Sequence, residues 1–171
     1  MDSTGKKILL VVWHSRTGAA RQMAQAAAEG AQAVVAELQA GGQMAIIMKA
    51  AHEADTPDLL QADGFLFCAP ENLAALSGAM KEFFDRCYYG VLDQLNGRPY
   101  GLLISAGSDG SAAVRQAERI CTGWRLASIA PAYIANTNAQ TPDAILAPKT
   151  LREQDIEASK TMGGTLAALL L

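Results

Sequence analysis

The feature that most constrains the fold is a passage near the amino terminus from an apolar run, through a short polar loop, into an alanine-rich segment. Residues 8–12, Ile-Leu-Leu-Val-Val, are apolar without alternation, which is typical of a strand buried on both faces. Residues 17–38 carry apolar residues at helical spacing, and the pair Gly41-Gly42 ends the pattern. A strand that leads directly into a helix predicts the first unit of an α/β sheet.

The loop between these two elements has the composition of an anion site. The first amides of a helix lack intrahelical partners, and the helix dipole places partial positive charge there. Ser15 and Thr17 supply hydroxyl donors, and Arg16 supplies the loop's only formal positive charge. Gly18 allows the backbone to approach a ligand closely. The sequence therefore predicts that this loop binds a phosphate group.

Strand and helix patterns alternate along the rest of the chain. Further strands are predicted at residues 44–48, 64–69, 100–105 and 128–135, and further helices at residues 80–95, 113–124 and from Thr150 onward. Residues 52–60 are predicted to be a connection or one short helical turn. The alternation predicts a three-layer α/β fold with an open, parallel, five-stranded sheet, formed by a single domain over residues 1–171.

Several residues refine the limits of these elements. Pro70 is predicted to end the third strand, and Pro131 to place the fifth strand at an edge of the sheet, because proline has no N–H to donate. Thr150-Leu-Arg-Glu153 matches a capping box that would open the last helix. Gly163-Gly164 is expected to weaken that helix by roughly 1 kcal/mol per glycine.

Three strand-to-helix loops are rich in small polar residues. These are the first loop, residues 14–18, the second loop, residues 70–78, and the third loop, residues 105–110. Ligands bind at the carboxyl edge of an open parallel sheet, where the strand order reverses. If the strand order is 2-1-3-4-5, the strands before these loops are neighbours, and the loops converge on one cleft.

Other phosphate-binding motifs do not match the first loop. A Walker loop requires GxxxxGK[ST], and a dinucleotide fingerprint requires GxGxxG, but this loop has only one glycine. An acidic residue is also expected after the second strand of a dinucleotide site, where Lys49 stands, although lysine would suit a 2′-phosphate. A phospho-acceptor domain requires an aspartate where Ala69-Pro70 stands. One phosphate loop and two loops for a ring system fit a mononucleotide.

The three loops together carry a family resemblance. Ser15-Arg-Thr-Gly18 resembles the phosphate loop of flavodoxin-like proteins. Pro70-Glu-Asn-Leu73, followed by Ser77-Gly-Ala-Met-Lys81 and Phe84-Asp85, resembles the second flavin loop and following helix of NAD(P)H-dependent FMN reductases and quinone reductases. Ser105-Ala-Gly107 resembles their third loop. The resemblance implies a flavodoxin-like fold, bound FMN, NADH or NADPH as electron donor, a quinone-like or flavin acceptor, and a homodimer or homotetramer.

The resemblance also implies which residues bind the cofactor. The residues around the phosphate would be Ser15, Arg16, Thr17, Gly18, Ala19 and Ala20. The residues that line the isoalloxazine would be Pro70, Glu71, Asn72 and Leu73. The pyrimidine edge of the ring would contact Ser105, Ala106 and Gly107. Ala20 departs from the family, which often has threonine there, and Leu73 stands where an aromatic residue is common. His14 would either contact the phosphate or fill the loop, and Asp109 is expected to cap the fourth helix.

Flavin chemistry requires position and water exclusion from the protein, so no catalytic side chain is predicted. The absence of stacking aromatics in the second and third loops favours an enzyme with an open ring face. The alternatives are a flavodoxin-type electron carrier and a flavodoxin-like domain with weak or lost flavin binding. The irregular residues 136–148 are expected to contribute to specificity.

Composition limits the other classes of function. The net charge of −3 argues against non-specific nucleic-acid binding. Three cysteines without a CxxC pair are typical of reduced thiols in a cytoplasmic protein, and two histidines offer no metal-ligand set. No apolar run reaches the roughly 18 residues that a membrane span requires.

Overall fold

The computed structural model describes residues 5–171, in which strands and helices alternate as the sequence predicts. The elements are β1 (Lys7–Trp13), α1 (Ala19–Glu37), β2 (Met44–Ala50), α2 (Thr56–Gln61), β3 (Gly64–Asn72), β4 (Ala75–Leu76), α3 (Gly78–Cys87), a 3-10 helix (Tyr88–Val91), β5 (Pro99–Ala106), α4 (Ser111–Gly123), β6 (Ala127–Ser128), β7 (Tyr133–Asn136), α5 (Pro142–Leu146) and α6 (Glu153–Leu170).

The main sheet is parallel and has the order β2-β1-β3-β5, with β6 and β7 both pairing with β5. The predicted strand order, 2-1-3-4-5, is confirmed, but the fifth position is occupied by two short strands. β6 pairs with the start of β5 and β7 with its end. Pro131 lies in the interruption, where a residue without an N–H disturbs no ladder.

Helices cover both faces of the sheet, so the fold has three layers. Alternate residues of β3 point to opposite cores: Phe65 and Phe67 pack on the side of α3 and α4, whereas Leu66 and Cys68 pack on the side of α1 and α6. On the first side, Phe67 lies against a group of aromatic rings. This group is Phe65, Phe83, Phe84, Tyr100 and Trp124.

Glycines allow α1 and α6 to approach each other closely on the second side. A Cβ atom on Gly30 would lie 2.1 Å from the carbonyl oxygen of Lys160, and one on Gly163 would lie 1.9 Å from that of Ala27. The sequence predicts only a helix-weakening effect for Gly163, because propensity describes an isolated helix. In the fold, this glycine permits backbone contact between two helices.

The predicted helix over residues 80–95 ends early. α3 ends at Cys87, and the chain continues as the 3-10 helix and a turn. Val91 and Leu95 are buried as the helical stripe predicts, but Tyr88 and Leu92 are exposed, and Tyr89 is 80% exposed. Apolar residues continue at nearly helical spacing after Cys87 because a 3-10 helix, with three residues per turn, also buries about one residue in three.

The predicted capping box at Thr150 is wrong. α6 begins at Glu153, with the N-cap at Arg152, two residues after the predicted cap, because the Leu151 N–H donates to the Gln22 side chain and holds this backbone in an extended form. The Asp155 carboxylate accepts hydrogen bonds from the Arg152 backbone N–H at 3.3 Å and guanidinium at 2.9 and 3.0 Å, and from the Tyr133 hydroxyl at 2.8 Å. This buried carboxylate therefore joins the start of α6 to β7.

The stability of this junction should depend on acid pH. Burial raises the pKa of the Asp155 carboxyl, but hydrogen bonds from Arg152 and Tyr133 outweigh burial and hold the pKa below its ordinary value. A carboxyl with a depressed pKa stabilises the fold above its unfolded pKa of about 3.9, and this contribution is lost as the pH falls through the folded pKa.

We expect Asp155→Asn to lower the free energy of unfolding by about 1–2 kcal/mol at pH 7, because the charged acceptor is lost. Urea titrations at neutral and acid pH measure this effect, and the difference from wild type should shrink below about pH 4. The control is Asp85→Asn, which breaks an exposed pair with Lys81 and should cost less than about 0.5 kcal/mol. A difference that persists undiminished in acid would contradict a role for the ionised carboxylate.

Candidate functional site

A cleft of about 400 Å³ lies at the carboxyl ends of β1, β3 and β5, within the size range of small-molecule sites. All predicted site residues except Gly18, Ala20 and Leu73 line it. The lining residues are Ser15, Arg16, Thr17, Ala19, Pro70, Glu71, Asn72, Ser105, Ala106, Gly107, Thr137, Ala139, Ile145, Leu146 and Lys149. The convergence of three loops that the strand order predicts is therefore present in the fold.

The first loop presents an open helix N-terminus to this cleft. Gly18 is the N-cap of α1 with φ 100°, no side chain caps the helix, and its first turn contains no acidic residue. The Ser15 hydroxyl accepts the Gly18 N–H at 3.0 Å and keeps its own proton for another acceptor. Arg16 is exposed, and within residues 5–171 it makes no hydrogen bond or ion pair. The local charge is positive, which favours an anion.

His14 joins the first loop to the second. Its Nδ1 lies 2.7 Å from the hydroxyl of the buried Ser77, which occupies the N-cap of α3 without capping it. Burial, the Arg16 guanidinium and His52 hold the pKa of the His14 imidazole below its ordinary value. His14 therefore links two loops, and its contact with a phosphate stays a prediction.

The second loop is a β-hairpin, so the prediction that Pro70 ends the third strand is wrong. β3 continues to Asn72 and turns back into β4, with Glu71 paired to Leu76 and Asn72 to Ala75. The strand tolerates proline here because the hairpin uses the Pro70 carbonyl, which accepts the Ser77 N–H at 3.0 Å, and does not need an N–H from this residue. β3 extends past Pro70 because it pairs with β4, and no single residue in the sequence indicates such a pairing between two segments.

The tip of this hairpin is strained. Leu73 and Ala74 have φ values of 52° and 60°, in the left-handed region that L-residues adopt at a cost of about 1–2 kcal/mol. Leu73 is fully exposed at the tip and does not line the cleft. Its predicted contact with a cofactor stays a prediction, as do those of Gly18 and the fully buried Ala20.

Glu71, and not Asp109, caps α4. The two oxygens of the Glu71 carboxylate accept the Gly110 N–H at 3.0 Å and the Ala113 N–H at 3.1 Å. Asp109 instead accepts the Ser111 hydroxyl at 2.6 Å. Sequence reasoning missed this cap because the carboxylate belongs to another loop, far from α4 in the chain.

Residues 137–149, here called the strap, form a wall of the cleft between the third and first loops. At one end, Thr137 donates from its N–H to the Ala106 carbonyl at 2.8 Å. At the other end, the Lys149 N–H donates to the Thr17 carbonyl at 2.8 Å. The strap contributes five lining residues that no motif indicated. They are Thr137, Ala139, Ile145, Leu146 and Lys149.

These residues fit FMN. The open N-terminus of α1, with Ser15, Thr17 and Arg16, offers the donors that a phosphate monoester requires. The remaining lining combines small and apolar side chains with backbone, which suits a planar ring. Among residues 5–171, no aromatic side chain lines the cleft.

The family model described as NADPH-dependent FMN reductase matches residues 7–141 of this chain. The chain belongs to this family. At the level of the family, it is a flavodoxin-like, flavin-dependent oxidoreductase, as the resemblance in the sequence implies.

Individual relatives include both a flavodoxin and a quinone reductase. The chain is 26% identical over 164 residues to a flavodoxin of Aquifex aeolicus, covering 93% of this chain and 84% of that protein. It is 35% identical over 91 residues to an NAD(P)H dehydrogenase (quinone) of Acidithiobacillus ferrooxidans, covering 46% of each. The solved structure of a WrbA-like flavodoxin from Agrobacterium tumefaciens has a TM-score of 0.73 at 17% identity, covering 96% of this chain and 98% of that one. This structural likeness shows the fold.

Residues 5–171 contain neither a metal-ligand cluster nor a helix that could span a membrane. No group of three or more histidine, cysteine, aspartate or glutamate side chains there is arranged to hold a metal ion. Within the same residues, every helix is too short or too polar to cross a membrane.

Proposed function

We propose that this protein binds FMN in the cleft and uses it to pass hydride from NADH or NADPH to a quinone-like or flavin acceptor. The observation that carries the proposal is the cleft itself, in which loops after three adjacent strands meet beside an uncapped helix N-terminus. When bound, FMN would supply the hydride chemistry at its ring. The protein's residues bind, orient and shield that ring.

The phosphate end of the ligand would lie against the first loop. Backbone amides of α1, the Ser15 hydroxyl proton and the Arg16 guanidinium are donors available to it. The ring would lie toward the second and third loops, where Pro70, Ser105 and Ala106 present small surfaces that exclude water. No side chain is proposed to exchange a proton with the substrate.

An electron-carrier function is the second candidate, supported by the similarity to the Aquifex aeolicus flavodoxin. The lining of the cleft favours the reductase instead. Without an aromatic side chain over the ring, one ring face would stay accessible to a nicotinamide or a quinone. The homodimer or homotetramer, for which exposed Tyr89 is a candidate interface anchor, stays a prediction, as does the cytoplasmic location.

The test is an absorbance spectrum of the purified protein with FMN, before and after anaerobic addition of NADPH or NADH. We expect bound flavin whose visible absorbance is bleached by one of the two donors and restored by a quinone. Bound FMN that neither donor bleaches would support the carrier function. A protein that neither contains nor takes up FMN would be a flavodoxin-like domain without flavin.

A further inference from the structure

The turn at the tip of the second loop has a conformation that its own residues do not favour. Leu73 and Ala74 form a two-residue hairpin turn with positive φ at both positions, where asparagine and glycine are favoured. A strained turn persists only when the surrounding structure holds it. Contacts outside the hairpin must therefore keep it in this conformation.

Three side-chain contacts hold the hairpin, and two of them lead to α4. The Glu71 carboxylate accepts two α4 amides, from Gly110 and Ala113, and the Gln116 side chain of α4 accepts the Leu76 N–H at 2.7 Å. The third is the contact between Ser77 and His14 at 2.7 Å. Both strands of the hairpin are thus tied to the helix that follows the third loop.

Glu71 is the charged member of this set, and its position is unlike that of a local cap. The N-cap of α4 is Gly110, with φ 88°, and the helix has no acidic residue in its first turn and no capping side chain of its own. The Glu71 carboxylate supplies the negative charge that this helix end lacks. The Glu71 side chain therefore accepts amide protons at the start of α4 and, by doing so, fixes the distance between the second and third loops.

We propose that Glu71 is a positioning residue, whose carboxylate locks the second and third loops into one rigid wall for the ring of the ligand. This assigns its side chain to the protein's own backbone and not to the cofactor. The part of the proposal that concerns flavin rests on the proposed function. The mechanical part, the coupling of the hairpin to α4, does not.

The mechanical part is tested by amide hydrogen exchange of the protein without added flavin. In Glu71→Gln, one acceptor oxygen is replaced by an NH₂ group that faces a backbone N–H. We expect the Leu76 and Ser77 amides, which donate to Gln116 and Pro70 and not to the Glu71 carboxylate, to exchange at least tenfold faster. Faster exchange at Gly110 and Ala113 alone would overturn the proposal and leave Glu71 as a helix cap.

The ligand part is tested by equilibrium binding of FMN and of riboflavin, which lacks the phosphate. We expect Glu71→Gln to weaken both by about the same factor, near tenfold, and to change the visible circular dichroism of bound flavin. Loss of FMN affinity with unchanged riboflavin affinity would overturn a role at the ring.

A matched control separates positioning from stability. Asp55 caps α2 through the Asp58 N–H and does not line the cleft. Asp55→Ala removes this cap, so it should lower stability and leave flavin affinity and exchange at Leu76 unchanged. If both variants change flavin affinity equally, Glu71 acts through stability alone and the proposal fails. If wild type binds no flavin, the proposed function fails, and the exchange experiment still decides the coupling.

Discussion

Gly163→Ala should lower the free energy of unfolding by about 3 kcal/mol, although alanine is the better helix former. The added Cβ would lie 1.9 Å from the Ala27 carbonyl oxygen and 2.6 Å from its carbonyl carbon. These are backbone atoms of α1, so no side-chain rotation relieves the contact. The helices must separate, which loosens the core around Met23, Met162 and Leu166.

Urea denaturation of wild type and variant measures this effect, and Gly123→Ala is the matched control. Gly123 also lies in a helix, but a Cβ there would meet nothing within 4 Å. Its replacement should be neutral or stabilising by up to about 1 kcal/mol. A Gly163→Ala protein as stable as the control would show that propensity outweighs the approach of α1 and α6.

Arg16→Ala should weaken FMN binding by about 1.5–3 kcal/mol, the range for hydrogen bonds to charged groups. Arg16 is exposed beside the open N-terminus of α1 and lines the cleft, so its guanidinium is available to a phosphate. Fluorescence titration with FMN measures the affinity. The loss should diminish at high salt, because an exposed charge pair is screened.

Riboflavin provides the internal control for Arg16→Ala, because a ligand without phosphate should bind wild type and variant equally. A second control is Arg125→Ala, which removes a charge outside the cleft that pairs with Asp93 at 3.0 Å. Unchanged FMN affinity in Arg16→Ala would show that backbone amides are sufficient. The ligand pair also separates the two ends of the cleft, since Glu71→Gln should weaken riboflavin and FMN alike.

Elements with a strong local signal were predicted correctly. The apolar run of β1 and the alternation of strands with amphipathic helices predicted an open parallel sheet. The order 2-1-3-4-5, the one that brings the three polar loops together, is the observed order of the core strands. These signals are reliable because burial of a strand or a helix face is a property of its own side chains.

The errors share a different cause. Pro70 was predicted to end β3, Asp109 to cap α4, and Thr150 to open α6. In each case a contact from elsewhere in the chain decided the outcome: β4 extends β3, Glu71 caps α4, and Gln22 holds the backbone before α6. Local rules assume that a residue's partners lie within a few positions of it.

The sequence by itself determined the layered α/β fold, the family, and the position of the opening loop after β1 as a phosphate-binding candidate. Periodicity encodes the fold directly, because it depends on which side chains avoid water, whereas the family and the phosphate loop follow from the motif residues of the three loops. Only the tertiary structure decided that Glu71 caps α4, that the strap lines one side of the cleft, and that Gly163 lies against the backbone of α1. Each of these depends on which backbone atoms meet when distant segments pack, and that information is not local to any residue.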